Sequence, residues 1–258
     1  MEYRSWEVSK ENQILTLTIQ GAGPLNTMSA ASMIELQEII THLHEDNDTR
    51  AVILKGDGRH FSAGLDIQML SERMDFSVEE NRQFIAKMQR CVDDFEALGK
   101  PTIAKLHGFC LGGGLMLALC CDFRVASKRT IFGLPEIKLG LPILWGTKRV
   151  TRLAGMAAAK EILFLGGRFK AEKALQYGLV HRVVAPDELD QTTLDLARRL
   201  GEVPAMALEL SKRIIHTGFD LSLRESQDLE LDIVADLLAS PDTKNAFIQY
   251  VKNQGLMD

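Results

Sequence analysis

The chain has 258 residues, 46% hydrophobic and 25% charged, with a formal net charge of -5. That balance is ordinary for a globular protein and allows one large domain or a core with a helical appendage. It lacks the clustered Lys and Arg excess of a nucleic-acid binder, and no apolar run reaches membrane-spanning length, so neither partner is expected.

The first residues, MEYRSWEVSKENQ, are charged and carry no apolar stretch of a secretory signal. Ile14–Gln20 alternates apolar and polar residues and reads as a strand. Ser29–His44 has apolar residues at helical spacing, with Ser29 as its N-cap. Ala51–Lys55 is a short buried strand closed by Gly56. Asp57–Leu65 is a glycine-bearing loop, and Asp66 caps the next helix start. Ser71–Glu80 is polar without a clean period and is expected to be a mobile loop. Asn81–Leu98 is an amphipathic helix stopped by Gly99 and Pro101.

Thr102–His107 reads as a strand, Gly108–Met116 (GFCLGGGLM) as a glycine turn, and Leu115–Cys121 as a buried helix. A helix start carries unpaired N–H groups, and Gly112, Gly113 and Gly114 admit close approach to the main chain. Taken alone, the turn suits an oxyanion site and tight helix packing equally. Asp122–Ala126 is a further strand, and Thr130–Gly140 a loop with short extended pieces. Helices then dominate: Thr147–Leu153, Ala157–Leu165, Ala171–Tyr177, Pro186–Leu200, Ala205–Gly218, Leu223–Ala239 and Pro241–Asn253, interrupted by a strand at Leu179–Val184. Alternation followed by helices predicts an α/β core with a helical C-terminal part. No GxGxxG or Walker A motif supports nucleotide binding. Cys91, Cys110, Cys120 and Cys121 form no CxxC pair and are expected to be reduced thiols of a cytoplasmic protein, without a metal site.

Three segments together resemble the crotonase superfamily, the enoyl-CoA hydratase/isomerase family. HFSAGLDI (60–67) matches its F-x-A-G-x-D loop. HGFCLGGGLMLALCCDFRVAS (107–127) matches its G-x-x-x-G-G-G and A-L-x-C-D segment. FGLPEIKLGLP (132–142) matches its F-x-x-P-E-x-x-x-G-x-x-P loop. The resemblance implies a crotonase-like spiral of repeated β-β-α units in residues 1–200. It also implies a C-terminal helical region, 201–258, that makes trimer contacts in a homotrimer or homohexamer. The implied substrate is an acyl-CoA thioester, or the thioester of an acyl carrier protein, with coenzyme A part of the substrate and no permanently bound cofactor.

The chemistry implied is stabilisation of a thioester enolate. Two backbone donors aimed at its oxygen are worth about two to three orders of magnitude in rate each. By resemblance they are the N–H groups of Leu65 and Gly113, with Gly112 beside them and Ser62, Ala63, Asp66 and Ile67 flanking the CoA adenine groove. Hydratases of the family use two glutamates. The second is Glu136; the first position, 20 residues earlier, is Met116. A thioether holds water poorly. One carboxylate still suffices to take a proton from the α-carbon and return it at the γ-carbon. Phe132, Leu134, Ile137 and Leu139 are expected to wall Glu136 and raise its pKa.

Trp145 stands where the family has a glycine near the acyl group. It either fills and dries the pocket or turns outward into a subunit contact. The late Lys-Arg pair near the CoA phosphates is replaced by Tyr250 and Val251, which leaves Lys244, Lys252, Lys55 or Arg59 for that task. His60, His107 and Asp122 read as structural. The leading expectation is an enoyl-CoA isomerase with Glu136 as proton shuttle. The alternatives are a hydratase, a thioester decarboxylase, and a non-catalytic acyl-CoA binder. Glu72, Asp75 or Glu80 would supply a second acid if the 71–80 segment folds over the site.

Overall fold

The structure, a computed structural model, describes residues 3–254. In chain order its strands are β1 (Trp6–Glu11), β2 (Ile14–Ile19), β3 (Ala51–Gly56), β4 (Thr102–Leu106), β5 (Phe109–Leu111), β6 (Phe123–Ser127), β7 (Ile131–Gly133), β8 (Arg168–Lys170) and β9 (Arg182–Val184). The helices are α1 (Ala30–Glu45), α2 (Ile67–Glu72), α3 (Val78–Glu96), α4 (Gly113–Leu119), α5 (Thr147–Leu165), α6 (Ala171–Gln176), α7 (Leu189–Gly201), α8 (Ala205–Gly218), α9 (Leu223–Ala239) and α10 (Pro241–Asn253). None of the described helices is long and apolar enough to cross a membrane.

The chain divides into two compact units, one ending at Leu200 and one beginning at Gly201. The first holds a six-stranded sheet in the order β1-β2-β3-β4-β6-β9, parallel except for the β1–β2 hairpin. Side chains alternate across a strand, so β3 sends Val52 and Leu54 to one face and Ala51 and Ile53 to the other. The first pair joins the main core with Leu17, Leu36, Phe61 and Phe95. The second pair packs with Ile103, Val125 and, from α7, Leu189 and Leu196. A strand buried on both faces reads as the continuous apolar run AVIL.

A smaller sheet, β5-β7-β8, is prolonged by isolated bridges Ser62↔Cys110 and Met28↔Leu65. Each turn of the chain gives one strand to the large sheet, a short strand or bridged loop to the small one, and then a helix. The successive turns are β3, loop 60–66 and α2; then β4, β5 and α4; then β6, β7 and a 3-10 turn, Pro135–Leu139. This is the crotonase-like α/β spiral that the sequence motifs imply.

Several elements differ from the sequence reading. Strand β1 was not anticipated: apart from Trp6 its residues are exposed, so it shows no alternation. Strands β5 and β8, three residues each, are too short to carry a period. Helix α4 starts two residues early, at Gly113. A single α5 replaces the two expected helices, with its break kept at Gly155 (φ 74°). The expected mobile loop Ser71–Glu80 is instead the end of α2, a 3-10 turn at Arg73–Asp75, and the start of α3. The reason is a capping box. The Ser77 hydroxyl accepts from Glu80 N, and Glu80 accepts in return from Ser77 N at 2.9 Å. The S-x-x-E spacing was legible, and the segment's polarity hid it.

The second unit comprises α8, α9 and α10. Ser222 and Glu225 form a capping box at the start of α9, and Ser240 caps α10 ahead of Pro241. Leu223, Leu231, Leu238, Phe247 and Tyr250 remain exposed on these helices. Replacing Ser77 with Ala is expected to cost about 1 kcal/mol. For a chain of this size that is a fall in Tm of roughly 2–4 °C. Calorimetry, with hydrogen exchange rising first across residues 73–80, checks it.

Candidate active site

Loop 60–66 is held like a strand against β5. Phe61 N donates to His107 O, Ser62 N to Phe109 O and Leu111 N to Ser62 O, at 2.9–3.0 Å. Asn26, with a left-handed φ of 50°, donates its side-chain amide to Asp57 O and His60 O at 2.8 Å. The buried Ser62 hydroxyl donates to Asn26 O at 2.7 Å and accepts from Gly64 N at 3.1 Å. On the loop's outer edge Met28 N donates to Gly64 O, and Asp66 N to Met28 O. Strand geometry alternates, so the Leu65 N–H faces the opposite edge.

Opposite that edge lies the glycine turn. Gly112 N donates to Gly133 O at 2.9 Å, and Gly112 takes φ 51°, ψ -131°. Gly113 opens α4, so its N–H has no acceptor within the helix. A Cβ on Gly64 would lie 3.0 Å from Gly113 N, and one on Gly113 would lie 3.4 Å from Leu65 N. The Leu65 and Gly113 N–H groups are therefore neighbours. Among the described residues neither has a hydrogen-bond acceptor in the protein.

Glu136 enters from the 3-10 turn after β7, where Pro135 sets the first helical position. A Cβ on Gly112 would lie 2.5 Å from Glu136 Oε1, so the carboxylate rests on the bare α-carbon next to Gly113 N. Its Oε2 is buried without a partner. Burial raises the Glu136 pKa above the usual carboxylate range.

These groups line one cavity of about 70 Å³. Its remaining walls come from Ala63, Ile67, Leu70, Pro135, Leu139 and the run Leu141–Trp145. Glu136 is the only ionisable side chain among them. The expected wall is partly redrawn: Leu139 takes part, Ile137 is exposed outside the cavity, and Phe132 and Leu134 belong to the buried core.

Met116 is fully buried and is not among the cavity-lining residues. A Cβ on Gly146 would clash with its Sδ, so the thioether occupies the space above that glycine. Trp145 lines the cavity, at φ 44°. Arg149 secures that strained residue by donating to Trp145 O at 2.6 Å while pairing with Asp93 and Glu96, each at 2.6 Å. Ala63, Ile67 and Gly112 line the cavity. Ser62 and Asp66 do not, since Ser62 is spent inside the loop and Asp66 accepts from Gln68 N as the N-cap of α2.

Glu72, Asp75 and Glu80 are not among the lining residues either. Glu72 accepts from Gln68 Nε2, and Glu80 is held by Ser77. His60 accepts from Phe109 N and stacks on that ring, His107 meets Gly58 O, and Asp122 holds Thr102 N and Oγ1. Burial pushes the Cys110 thiol up, against a nucleophilic role. Among the described residues no cluster of three His, Cys, Asp or Glu is placed to hold a metal. Lys55 is half-buried at the end of β3, and Arg59 is exposed on the loop that follows. Sequence reasoning missed Asn26 and Arg149. Apart from Trp145 O, their partners lie 31 to 56 residues away, and no local pattern marks them.

The sequence pattern of the enoyl-CoA hydratase/isomerase family matches residues 9–255. A short-chain-enoyl-CoA hydratase of Clostridium acetobutylicum is 34% identical over 256 residues, covering 98% of this chain and 97% of the relative. A crotonyl-CoA hydratase of Syntrophomonas wolfei is 32% identical over the same shares. The crystal structure of an enoyl-CoA hydratase from Bacillus anthracis superposes with a TM-score of 0.89 at 29% identity, covering 97% of each chain.

Two outcomes follow from the geometry. Gly112→Ala meets both the left-handed φ and the Glu136 carboxylate, and is expected to lower kcat at least about 100-fold in a folded protein. Steady-state kinetics alongside circular dichroism checks it. Glu136→Gln removes a buried carboxylate whose pKa is raised in the folded state. The folded state therefore holds its proton where the unfolded state has lost it. Wild-type stability falls as pH rises from the ordinary glutamate range through the raised value. The Tm of the variant minus that of wild type should grow across that window and level off above it, as followed by calorimetry at stepped pH.

Proposed function

The chain belongs to the enoyl-CoA hydratase/isomerase family, and from that premise we propose that it moves the double bond of an enoyl-CoA, with Glu136 as the proton shuttle. It is an enoyl-CoA hydratase or isomerase by family. The choice of isomerisation rests on one observation. Glu136 is the only ionisable side chain lining the cavity, and Met116, which the motif spacing assigns to the family's other glutamate, lies in the core.

The thioester oxygen sits against the Leu65 and Gly113 N–H groups. Glu136, ionised, takes the α-proton; the electron pair moves onto the thioester oxygen as the enolate forms. The two N–H groups stabilise that charge in a site with little water. Glu136 then returns the proton at the γ-carbon, and the double bond ends conjugated to the thioester. A raised pKa suits a group that must both accept and donate near neutrality.

A different observation favours hydration at least as well: the relatives reported above are named hydratases. On that reading Glu136 handles the water's proton, and a second holding group must come from something other than a carboxylate. The CoA phosphates are assigned to Lys55 and Arg59, which stand on the strand end and loop leading into residues 60–66. The exposed apolar residues of α9 and α10 support association through the C-terminal region, into a trimer or hexamer.

Incubation with 3-pentenoyl-CoA and, separately, crotonyl-CoA, with products read by mass spectrometry, decides between the readings. Conjugated enoyl product without 3-hydroxyacyl product, lowered by about 100-fold or more in Glu136→Gln, is expected. Efficient 3-hydroxyacyl-CoA formation from crotonyl-CoA overturns isomerisation in favour of hydration.

A further inference from the structure

Three main-chain carbonyls of the loop that follows β3 converge on one side chain. The Asn26 amide donates to Asp57 O and His60 O at 2.8 Å and reaches Phe61 O at 3.4 Å. In return the Asn26 carbonyl accepts from the buried Ser62 hydroxyl at 2.7 Å. Asn26 is itself buried, and it is not among the cavity-lining residues. We propose that Asn26 is a positioning residue for the reaction: through Ser62 and Gly64 it aims the Leu65 N–H at the thioester oxygen. The inference rests on the reading of the Leu65 and Gly113 N–H groups as the oxyanion donors, and it holds for isomerisation and hydration alike.

The argument turns on a reversal in the loop. Up to Ser62 the loop pairs with β5, with Ser62 N donating to Phe109 O and Leu111 N to Ser62 O. In a strand, alternate residues face the same edge, so regular continuation would turn Gly64 toward β5 and Leu65 away from it. Gly64 breaks that alternation at φ 104°, a conformation open to glycine. Its carbonyl turns instead to Met28 N at 2.8 Å, and its N–H to the Ser62 hydroxyl oxygen at 3.1 Å. The Leu65 N–H thereby comes round to the edge that faces Gly113. Two links hold the reversal from the 25–28 side. One is main-chain pairing, with Ala63 N donating to Leu25 O and Asp66 N to Met28 O. The other runs from Asn26 O to the Ser62 hydroxyl to Gly64 N, one residue short of Leu65. The amide of Asn26 ties this second link back to the loop's own first half. An amide NH₂ has two donors, and both are spent on these carbonyls. The reversal also abuts the glycine turn: a Cβ on Gly64 would lie 3.0 Å from both Gly113 N and Leu111 O. A shift at Gly64 is therefore passed on to the spacing of the two N–H groups.

The test reads the thioester carbonyl itself. Butanoyl-CoA, isotopically labelled at the thioester carbonyl carbon, is bound to wild type and to Asn26→Gly, and its stretch is followed by infrared difference spectroscopy. The variant keeps the freedom to adopt a left-handed φ and deletes the amide. Hydrogen bonds to a carbonyl lower its stretching frequency, so wild type is expected to lower it below the value in water. Asn26→Gly is expected to keep less than about half of that lowering, with Kd within about threefold of wild type and kcat down about 10- to 100-fold. A fold that is merely loosened would bind less thioester, yet what it bound would show the wild-type stretch. A wild-type stretch in folded Asn26→Gly therefore overturns the proposal, whatever happens to kcat. Where that variant does not fold, Ser62→Ala decides by the same spectrum, because it cuts the link between Asn26 O and Gly64 N by removing one hydroxyl. A wild-type stretch there overturns the proposal equally. Failure of the oxyanion reading shows in wild type alone: butanoyl-CoA binds with its stretch unlowered, and this inference falls with that reading.

Discussion

Glu136 Oε1 lies 2.5 Å from the point where a Gly112 Cβ would stand, and the site is built around that contact. Gly112 is required twice over, by the absent side chain and by a φ of 51°. The turn it makes ends β5, starts α4 at Gly113, and leaves the first N–H of that helix without an acceptor. Because the carboxylate rests on the neighbouring α-carbon, it and the Gly113 N–H come adjacent without a side chain between them. Burial also dries the carboxylate, which raises its pKa.

The spiral fold supplies what such a contact needs. Loop 60–66, β5 and β7 come from three successive turns of the chain and run side by side in or against the small sheet. Each brings one part of the site: Leu65 N–H, Gly113 N–H, and the Glu136 carboxylate. Two of the three do not depend on a side chain for their position. Two N–H groups come from the backbone itself, and the third part is a side chain carried on a 3-10 turn beginning at Pro135. Rigid placement of this kind lets a site stabilise charge without reorganising during the reaction.

Some of the places that break local rules lie at the cavity. Trp145 takes a backbone conformation suited to glycine, its indole N–H is unpaired, and Glu136 keeps a buried oxygen without a donor. Others lie outside it: Asn12, Gln13 and Asn26 also take a positive φ, and His107 Nδ1 is buried without a partner, while Ser29, Asp66, Ser77, Ser222 and Ser240 each cap the helix that follows.

The sequence by itself determined the glycine turn, the strand–turn–helix around it, the caps at Ser29 and Asp66 and the bounds of α8, α9 and α10, because these follow from propensities and spacings within a few residues. Its three motifs also identified the family and named Leu65, Gly113 and Glu136 as the residues to inspect. Only the tertiary structure decided what became of the two departures. Met116 went into the core above Gly146, and Trp145 went to the cavity wall. Both outcomes depend on how residues 141–146 pack against α4 and on an arginine held by α3, contacts between segments far apart in sequence. Periodicity describes one segment at a time, so it shows that a side chain has changed and not which way the changed side chain faces.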